Sequence, residues 1–250
     1  MKKLSPAINR RQIVAVTILF LLNSDLVYAQ TKVYVSSGTG FFINRSGYLV
    51  TNLHVVSQCQ RIVVQSARLG PYFARVIGRN ITNDLALLKV DAAGLEPPSL
   101  RTHARPVSTN EQVMIIGYPG DSYKTLQSVA RNAVVTHPKG PNAEDGWFQV
   151  SDLIEQGNSG GPLLDASGNV LGVIVARAVT YRYQVDNPHD GTTTRSGVVI
   201  ALSALKDFLN EYQISYTESD ANSNLGADRL VDLAGRFVVN VRCETETELR

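Results

Sequence analysis

Short hydrophobic runs separated by turn residues dominate the chain between residues 33 and 90. The runs are rich in β-branched and aromatic residues, and the polar segments between them carry Gly, Asn, Asp or Pro. This pattern is typical of short antiparallel strands joined by turns. It predicts one barrel or sandwich with strands at residues 34–35, 40–43, 48–50, 61–64, 73–77 and 85–88.

A second series of strand-like runs follows a connection that contains three prolines, Pro97, Pro98 and Pro106. The predicted strands lie at residues 112–118, 125–136, 147–150, 161–164, 170–176 and 197–201. A helix is predicted after them, at residues 203–212, because apolar residues recur there at the spacing of one helix face. The sequence therefore predicts two all-β lobes, at about 33–90 and about 112–202, within a domain that spans 30–214.

The C-terminal segment, residues 215–250, begins with a polar, turn-rich linker. A short helix is predicted at residues 227–234 and a strand at residues 237–241, close to Cys243. The last residues, 244–250, are expected to fray, as chain ends commonly do. We interpret this segment as a strap held on the barrel by a disulfide, in preference to a binding module.

The first 29 residues have the pattern of a secretory signal peptide. A basic start precedes an apolar run from Ile13 to Leu22, and Val27-Tyr28-Ala29 places small residues where a signal peptidase reads them. The alternative is a membrane anchor, but a membrane-spanning helix needs about 20 apolar residues and this run is shorter. We expect cleavage after Ala29, no stable membrane anchor and a periplasmic or extracellular protein. Cleavage would change the formal net charge from +2 to −1 by removing four basic residues and Asp25.

Composition sets few limits on function. Lys and Arg do not cluster, so no nucleic-acid partner is expected. The four His and two Cys show no metal-ligand spacing, and no Gly-rich phosphate loop occurs, so we expect no metal and no cofactor. Cys59 and Cys243 are expected to pair in an oxidising compartment, and two unpaired buried thiols are the alternative.

The stretch from Gly157 to Pro162 reads Gly-Asn-Ser-Gly-Gly-Pro. A nucleophilic serine needs a tight turn that presents its hydroxyl and aims backbone N–H groups at a developing oxyanion. Gly157 permits the unusual backbone conformation that this requires, and Ser159 is the candidate nucleophile. The alternative is an ordinary hairpin turn, since these residue types also favour turns.

Two further residues supply the chemistry that such a serine needs. His54 directly follows a predicted strand, and Asp84 begins another strand of the same lobe. Each residue alone is more often structural. Together with Ser159 they provide a base, an acid that orients the base, and a nucleophile.

These motifs resemble those of the trypsin-like (chymotrypsin-fold) serine peptidases, and most closely the bacterial HtrA/Deg-type branch. The resemblance covers roughly residues 33–212 and rests on the segments at 37–43, 49–56, 83–88 and 157–164. It implies two perpendicular six-stranded antiparallel β-barrels followed by a C-terminal helix and a short tail, with the catalytic cleft between the barrels.

The resemblance also implies a role for each residue of the site. His54 acts as general base and then general acid, Asp84 orients it, and Ser159 is acylated. The backbone N–H groups of Gly157 and Ser159 form the oxyanion hole.

Departures from the family pattern change what is expected. HtrA-type enzymes usually carry C-terminal PDZ domains, and we expect none here. Digestive relatives are activated when a new N-terminal amine pairs with an Asp just before the serine. This chain has Asn158 at that position, so we expect no activation step beyond signal removal.

Specificity is indicated only by alignment with this family. Leu153 stands where trypsin-like enzymes carry the Asp that binds Lys or Arg, so cleavage after small or medium apolar residues is expected. Val175, Ala176 and Arg177 align with the strand that pairs with the substrate backbone. Arg177 could instead reach into the pocket and favour an acidic residue.

The expected activity is endopeptidase action on unfolded or exposed segments of proteins and peptides. A secreted protease of narrow specificity is an alternative of the same class. An inactive homologue that acts as a holdase or binding module is an alternative of a different class. An esterase is disfavoured because strand and helix patterns do not alternate. The sequence leaves the oligomeric state open.

Overall fold

The structure is a computed structural model that describes residues 31–139, 146–151, 154–182 and 193–248. The predicted signal segment at 1–29 and Leu153 lie outside the described residues. Among the helices of these four ranges, none has both the length and the apolar character needed to cross a membrane.

Six antiparallel strands close into the first barrel. In chain order they are β1 (Thr31–Phe42), β2 (Tyr48–Asn52), β3 (Arg61–Gln65), β4 (Tyr72–Asn80), β5 (Leu85–Lys89) and β14 (Val238–Glu248). Their order around the barrel is β1-β14-β3-β4-β5-β2, so each strand has two partners. Closure satisfies the backbone groups that an open sheet would leave at its edges.

The second lobe is built in the same way. Its strands are β7 (Gln112–Gly117), β8 (Val129–His137), β9 (Trp147–Val150), β10 (Pro162–Leu164), β11 (Val170–Arg182) and β12 (Thr193–Ala201). The order β10-β7-β8-β9-β12-β11 closes through the pairing of β10 with β11. Two short strands, β6 (Leu100–Arg101) and β13 (Glu218–Ser219), add parallel pairings outside the ring. The expected pair of six-stranded barrels is confirmed.

Helices in the described ranges are few and short: α1 (Leu53–Val56), α2 (Ser122–Thr125), α3 (Leu202–Glu211) and α4 (Ala227–Ala234). The predicted helix at 203–212 corresponds to α3, and the predicted helix at 227–234 corresponds to α4. Helix α3 begins directly after β12 and buries Leu205, Phe208 and Leu209.

The first barrel differs from its sequence prediction in one strand. The predicted strands at 34–35 and 40–43 are parts of the single strand β1, and the sixth strand is β14 from the C-terminal segment. β14 pairs with β1 from Val238 opposite Phe41 to Glu248 opposite Thr31, and its other edge pairs with β3. The end of the tail is therefore a barrel strand and not a strap laid over the barrel, and β14 continues through residues expected to fray.

The larger of two hydrophobic clusters joins the two lobes. It includes buried side chains of the first barrel, such as Leu88, and of the second lobe, such as Ile116 and Leu164. The C-terminal end of α3 also contacts the first barrel, because the Tyr212 ring lies against Gly78 and a Cβ atom there would be 2.5 Å from the ring. The shared core fixes the two lobes relative to each other and so fixes the cleft between them.

Candidate active site

The pairing of β2 with β5 brings His54 and Asp84 together. Asn52 at the end of β2 lies opposite Leu85 at the start of β5, so the residues just beyond them meet. Asp84 has a positive φ of 50°, and its backbone carbonyl accepts hydrogen bonds from the N–H of Leu53 at 2.9 Å and from the Asn52 side chain at 3.0 Å. The turn before β5 is thereby fixed against the start of α1.

The Asp84 carboxylate contacts His54 through both of its oxygens. Oδ2 lies 2.6 Å from Nδ1 of the His54 ring, and Oδ1 accepts the His54 backbone N–H at 2.8 Å. A carboxylate only accepts, so this pairing places the ring proton on Nδ1 and leaves Nε2 as the basic atom. The His54 side chain is 51% exposed and that of Asp84 25%, so the imidazole faces the solvent with the carboxylate behind it.

Ser159 lies in a tight turn between Gly157 and Gly160, and both of these positions accept only glycine. Gly157 has φ +99°, and a Cβ atom there would lie 2.2 Å from the carbonyl oxygen of Tyr118. Gly160 has φ +85°, and its Cβ atom would lie 2.3 Å from the carbonyl oxygen of Thr39. Any side chain at these positions would meet backbone that cannot move aside, so the glycines are required by close packing as well as by conformation.

The carbonyls that precede Gly157 and Ser159 are each held by a backbone N–H donor. The Gln156 carbonyl accepts the Gly120 N–H at 2.9 Å, and the Asn158 carbonyl accepts the Gly161 N–H at 3.0 Å. In a trans peptide the N–H points opposite to the C=O. The N–H groups of Gly157 and Ser159 therefore point away from these donors.

Thr39 joins the serine turn to the first barrel. Its hydroxyl donates to the Gly157 carbonyl at 2.6 Å and accepts the Tyr118 N–H at 2.9 Å. Its own backbone N–H donates to the Ser159 carbonyl at 2.8 Å. Sequence reasoning assigned Thr39 no role, although it lies between Gly38 and Gly40, in a segment that contributed to the family resemblance.

The predicted catalytic residues meet at a cleft of about 520 Å³. His54, Gly157 and Ser159 line it, and Asp84 lies behind His54. Ser159 is only 5% exposed, so it lies deep in the cleft and is reached only through it. Sequence reasoning did not single out the other lining residues, which come from β1, from α1, from the Gly120–Tyr123 segment and from the serine turn: Val35, Ser36, Ser37, Val55, Gly120, Tyr123 and Gln156.

The candidate specificity residues are described less completely. Val175 is buried in β11, and it pairs with Val198 of β12. Ala176 and Arg177 continue β11 through an irregularity between Val175 and Val179, and their side chains lie outside the described part of the structure, as does all of Leu153.

Cys59 and Cys243 are joined by a disulfide in the structure, with Cα atoms 5.1 Å apart. It connects the segment after α1 to β14. Hydrogen bonds support the same connection, because Gln60 exchanges side-chain and backbone bonds with Glu244 and Glu246. The helix that carries His54 is thus followed by a turn fastened to the C-terminal strand.

Comparison with known proteins gives consistent matches. The family model of the trypsin-like peptidase domain matches residues 38–173. Serine protease HTRA1A of Danio rerio is 30% identical over 158 residues, which cover 61% of this chain and 32% of that protein. A probable periplasmic serine endoprotease DegP-like of Ectopseudomonas mendocina is 35% identical over 143 residues, which cover 55% of this chain and 29% of that protein.

A solved structure shows the same fold. It is described as HtrA-type protease AlgW with decapeptide, and it matches with a TM-score of 0.54 and 24% identity over 70% of this chain and 51% of its own. The chain spans about a third of the length of the curated relatives named above. The family match covers more than half of the chain and includes His54, Asp84 and Ser159. The chain therefore belongs to the trypsin-like peptidase family, and it is similar to serine proteases named HTRA1A and DegP-like.

Proposed function

We propose that this protein is an exported serine endopeptidase that uses Ser159, His54 and Asp84 as its catalytic triad. The observation that carries the proposal is the double contact of Asp84 with His54, in the same cleft that Ser159 lines. A histidine held this way has one basic nitrogen directed away from its carboxylate, which is what activation of a serine hydroxyl requires.

In the proposed reaction the Ser159 Oγ attacks the carbonyl carbon of the scissile peptide, and His54 Nε2 takes the hydroxyl proton. The tetrahedral intermediate collapses when His54 returns that proton to the leaving amine, which leaves an ester on Ser159. Water then attacks this ester with His54 again as base, and Ser159 recovers its proton as the product acid leaves. The Asp84 carboxylate orients the ring and stabilises the imidazolium that forms.

The N–H groups of Gly157 and Ser159 are the proposed donors to the oxyanion. Their support is the fixed direction of the preceding carbonyls, which are bound to Gly120 and Gly161. Donors that are already oriented stabilise the developing charge without reorganisation during the reaction. Each donor of this kind is worth on the order of 10²–10³-fold in kcat.

The substrate is proposed to bind as an extended strand beside β11. β11 itself contacts β10 and the serine turn. Val173 of β11 lies opposite Pro162 of β10, and the Gly160 N–H donates to the Ile174 carbonyl. β11 continues beyond them to Arg182, so the backbone from Val175 to Arg177 is the proposed pairing edge. Only a segment free of its own fold can pair in this way, which favours unfolded or exposed stretches of proteins as substrates. By alignment, Leu153 stands where trypsin-like enzymes carry the Asp that binds Lys or Arg, so cleavage after small or medium apolar residues is proposed.

Export is supported by the predicted signal segment, by the Cys59–Cys243 disulfide and by the periplasmic DegP-like relatives. Disulfides persist mainly in oxidising compartments. A bacterial host with an oxidising periplasm is therefore the suitable expression system. N-terminal sequencing of the purified protein tests cleavage after Ala29.

A fluorophosphonate probe tests the proposed activity. The full chain is expressed with its own N-terminus, purified from the exported fraction and treated beside Ser159→Ala and His54→Ala. Labelling of the wild type alone, together with cleavage of fluorescein-labelled casein, supports the proposal. A folded wild type that neither labels nor cleaves casein would overturn it and favour the binding-module alternative.

A further inference from the structure

We propose that Thr39 is a positioning residue for the oxyanion hole, and that its hydroxyl maintains the reactive form of the serine turn. This inference rests on the proposed function, since it concerns how the same site is held. Thr39 belongs to β1 of the first barrel, whereas the turn that it contacts belongs to the second lobe.

Both residues that carry the proposed oxyanion donors are bound to Thr39 through their own carbonyls. The Gly157 carbonyl accepts the Thr39 hydroxyl and the Ser159 carbonyl accepts the Thr39 N–H. Because the N–H and C=O of a residue flank the same Cα atom, fixing these carbonyls restrains the Cα positions from which the two N–H groups project. Gly157 has no side chain to limit its backbone, so its conformation depends strongly on this bond.

The Thr39 hydroxyl also restrains the other wall of the turn. It accepts the N–H of Tyr118, and two residues later the N–H of Gly120 holds the Gln156 carbonyl. The Gly157 residue is therefore restrained on both sides, directly by Thr39 and indirectly through the Tyr118–Gly120 segment. A hydroxyl can donate once and accept as well, and Thr39 uses both capacities here.

No water reaches this arrangement readily, because Thr39 is fully buried and Tyr118 is only 2% exposed. Replacement of Thr39 by valine keeps the shape of the side chain but leaves a buried N–H and a buried C=O without their partner. Groups in that situation rearrange to find new partners. The nearest freedom lies in the Gly157 backbone, so the oxyanion donors are expected to lose their alignment.

Thr51 offers a matched control within the same barrel. Its hydroxyl is also fully buried and also donates to a backbone carbonyl, that of Thr39, at 2.7 Å. This bond stays inside the first barrel, between β1 and β2. The Thr51 hydroxyl also lies against Gly160, so Thr51→Val removes a comparable buried hydrogen bond beside the serine turn without releasing the Gly157 carbonyl.

The test measures fluorophosphonate labelling and casein cleavage for wild type, Thr39→Val, Thr39→Ser and Thr51→Val, with the melting temperature of each. For Thr39→Val we expect the limiting labelling rate and kcat to fall at least tenfold, with the probe affinity and KM changed less than threefold. Thr39→Ser retains the hydroxyl, so it is expected to stay within threefold of wild type. Thr51→Val is expected to lower the melting temperature similarly while keeping kcat within twofold.

Three results overturn the inference. They are a Thr39→Val rate equal to that of wild type, a Thr51→Val rate as low as that of Thr39→Val, and a loss of activity in Thr39→Ser. If Thr39→Val does not fold, Thr39→Ala removes the same hydroxyl without a methyl group against the two polar atoms, and the same decrease in kcat is expected. A reactive wild type with these results rejects only the role of Thr39, whereas an unreactive folded wild type rejects the proposed function and this inference together.

Discussion

Asp84 holds His54 by two separate bonds, one to the ring Nδ1 at 2.6 Å and one to the backbone N–H at 2.8 Å. The second bond fixes the position of the residue, and the first fixes the proton on the ring. These two effects can be separated by mutation, because an amide in place of the carboxylate still fits the site but no longer selects the same tautomer.

We therefore expect Asp84→Asn to fold normally and to lose about 10³–10⁴-fold in kcat, because the imidazole is no longer held with Nε2 as the base. Steady-state cleavage of labelled casein measures the change, and thermal melting confirms the fold. Ser159→Ala sets the background rate. Retention of more than a tenth of the wild-type kcat in Asp84→Asn would show that Asp84 does not orient the base.

The disulfide predicts a redox-dependent stability. Cys59 and Cys243 close a loop with a sequence separation of 184 residues, and a native bridge of this kind contributes about 2–5 kcal/mol to the free energy of unfolding. A Cys59→Ser, Cys243→Ser double variant is expected to unfold at lower urea concentration, to the same extent as the reduced wild type. Urea unfolding with and without dithiothreitol measures this, and the double variant, which has no thiol, should not respond to the reductant. A wild type that is equally insensitive would contradict the pairing.

Local sequence patterns predicted most strands, including the start of β14 at residues 237–241, but they missed its outer half for a physical reason. Its outer half reads Glu-Thr-Glu-Thr-Glu, which alone indicates an exposed, fraying end. It becomes a strand because β1 pairs with it through Glu248, while β3 pairs with the other edge of β14 as far as Glu244; both partners are distant in sequence. Pairing over such distances leaves no signal in a local window, so the barrel boundary at about residue 90 omitted a strand that completes the barrel.

The candidate site shows the same division between local and distant information. Ser159 and its glycines form a local motif, and His54 and Asp84 each stand at a strand end, so sequence reasoning could find them. Thr39 has no local mark, because its role comes from contacts with residues about 80 and 120 positions away. Residues that hold a site through their tertiary contacts are found only once the fold is known.

Tyr118 predicts a loss of stability at alkaline pH. Burial raises the pKa of its phenol from 10.0 to about 12. The unfolded chain therefore ionises this group first, so its contribution is fully present below pH 10 and is lost as the pH rises towards 12. Two pKa units correspond to about 2–3 kcal/mol at most.

Urea unfolding at pH 8 and pH 11 tests this. The free energy of unfolding should fall more between the two pH values for wild type than for Tyr118→Phe, which has no group to ionise. Equal losses in the two proteins would contradict the assignment.

The buried ion pair between Arg101 and Glu111 is expected to contribute far more to stability than the surface pairs. The Arg101 side chain is 1% exposed and forms a two-bond contact with Glu111, and the Arg101 carbonyl accepts a bond from the buried Lys206. Glu111→Gln leaves the guanidinium without its nearest counter-charge, although Asp165 remains 3.7 Å away. Removing one member of a buried pair typically costs about 3–5 kcal/mol, and Asp165 should reduce that cost towards the lower end.

Urea unfolding measures the loss in the free energy of unfolding. The exposed pair Asp121–Lys124 provides the control, because Lys124→Gln should leave the midpoint unchanged. If Glu111→Gln also leaves the midpoint unchanged, Arg101 is held by Asp165 and its packing, and the contact with Glu111 adds nothing to stability.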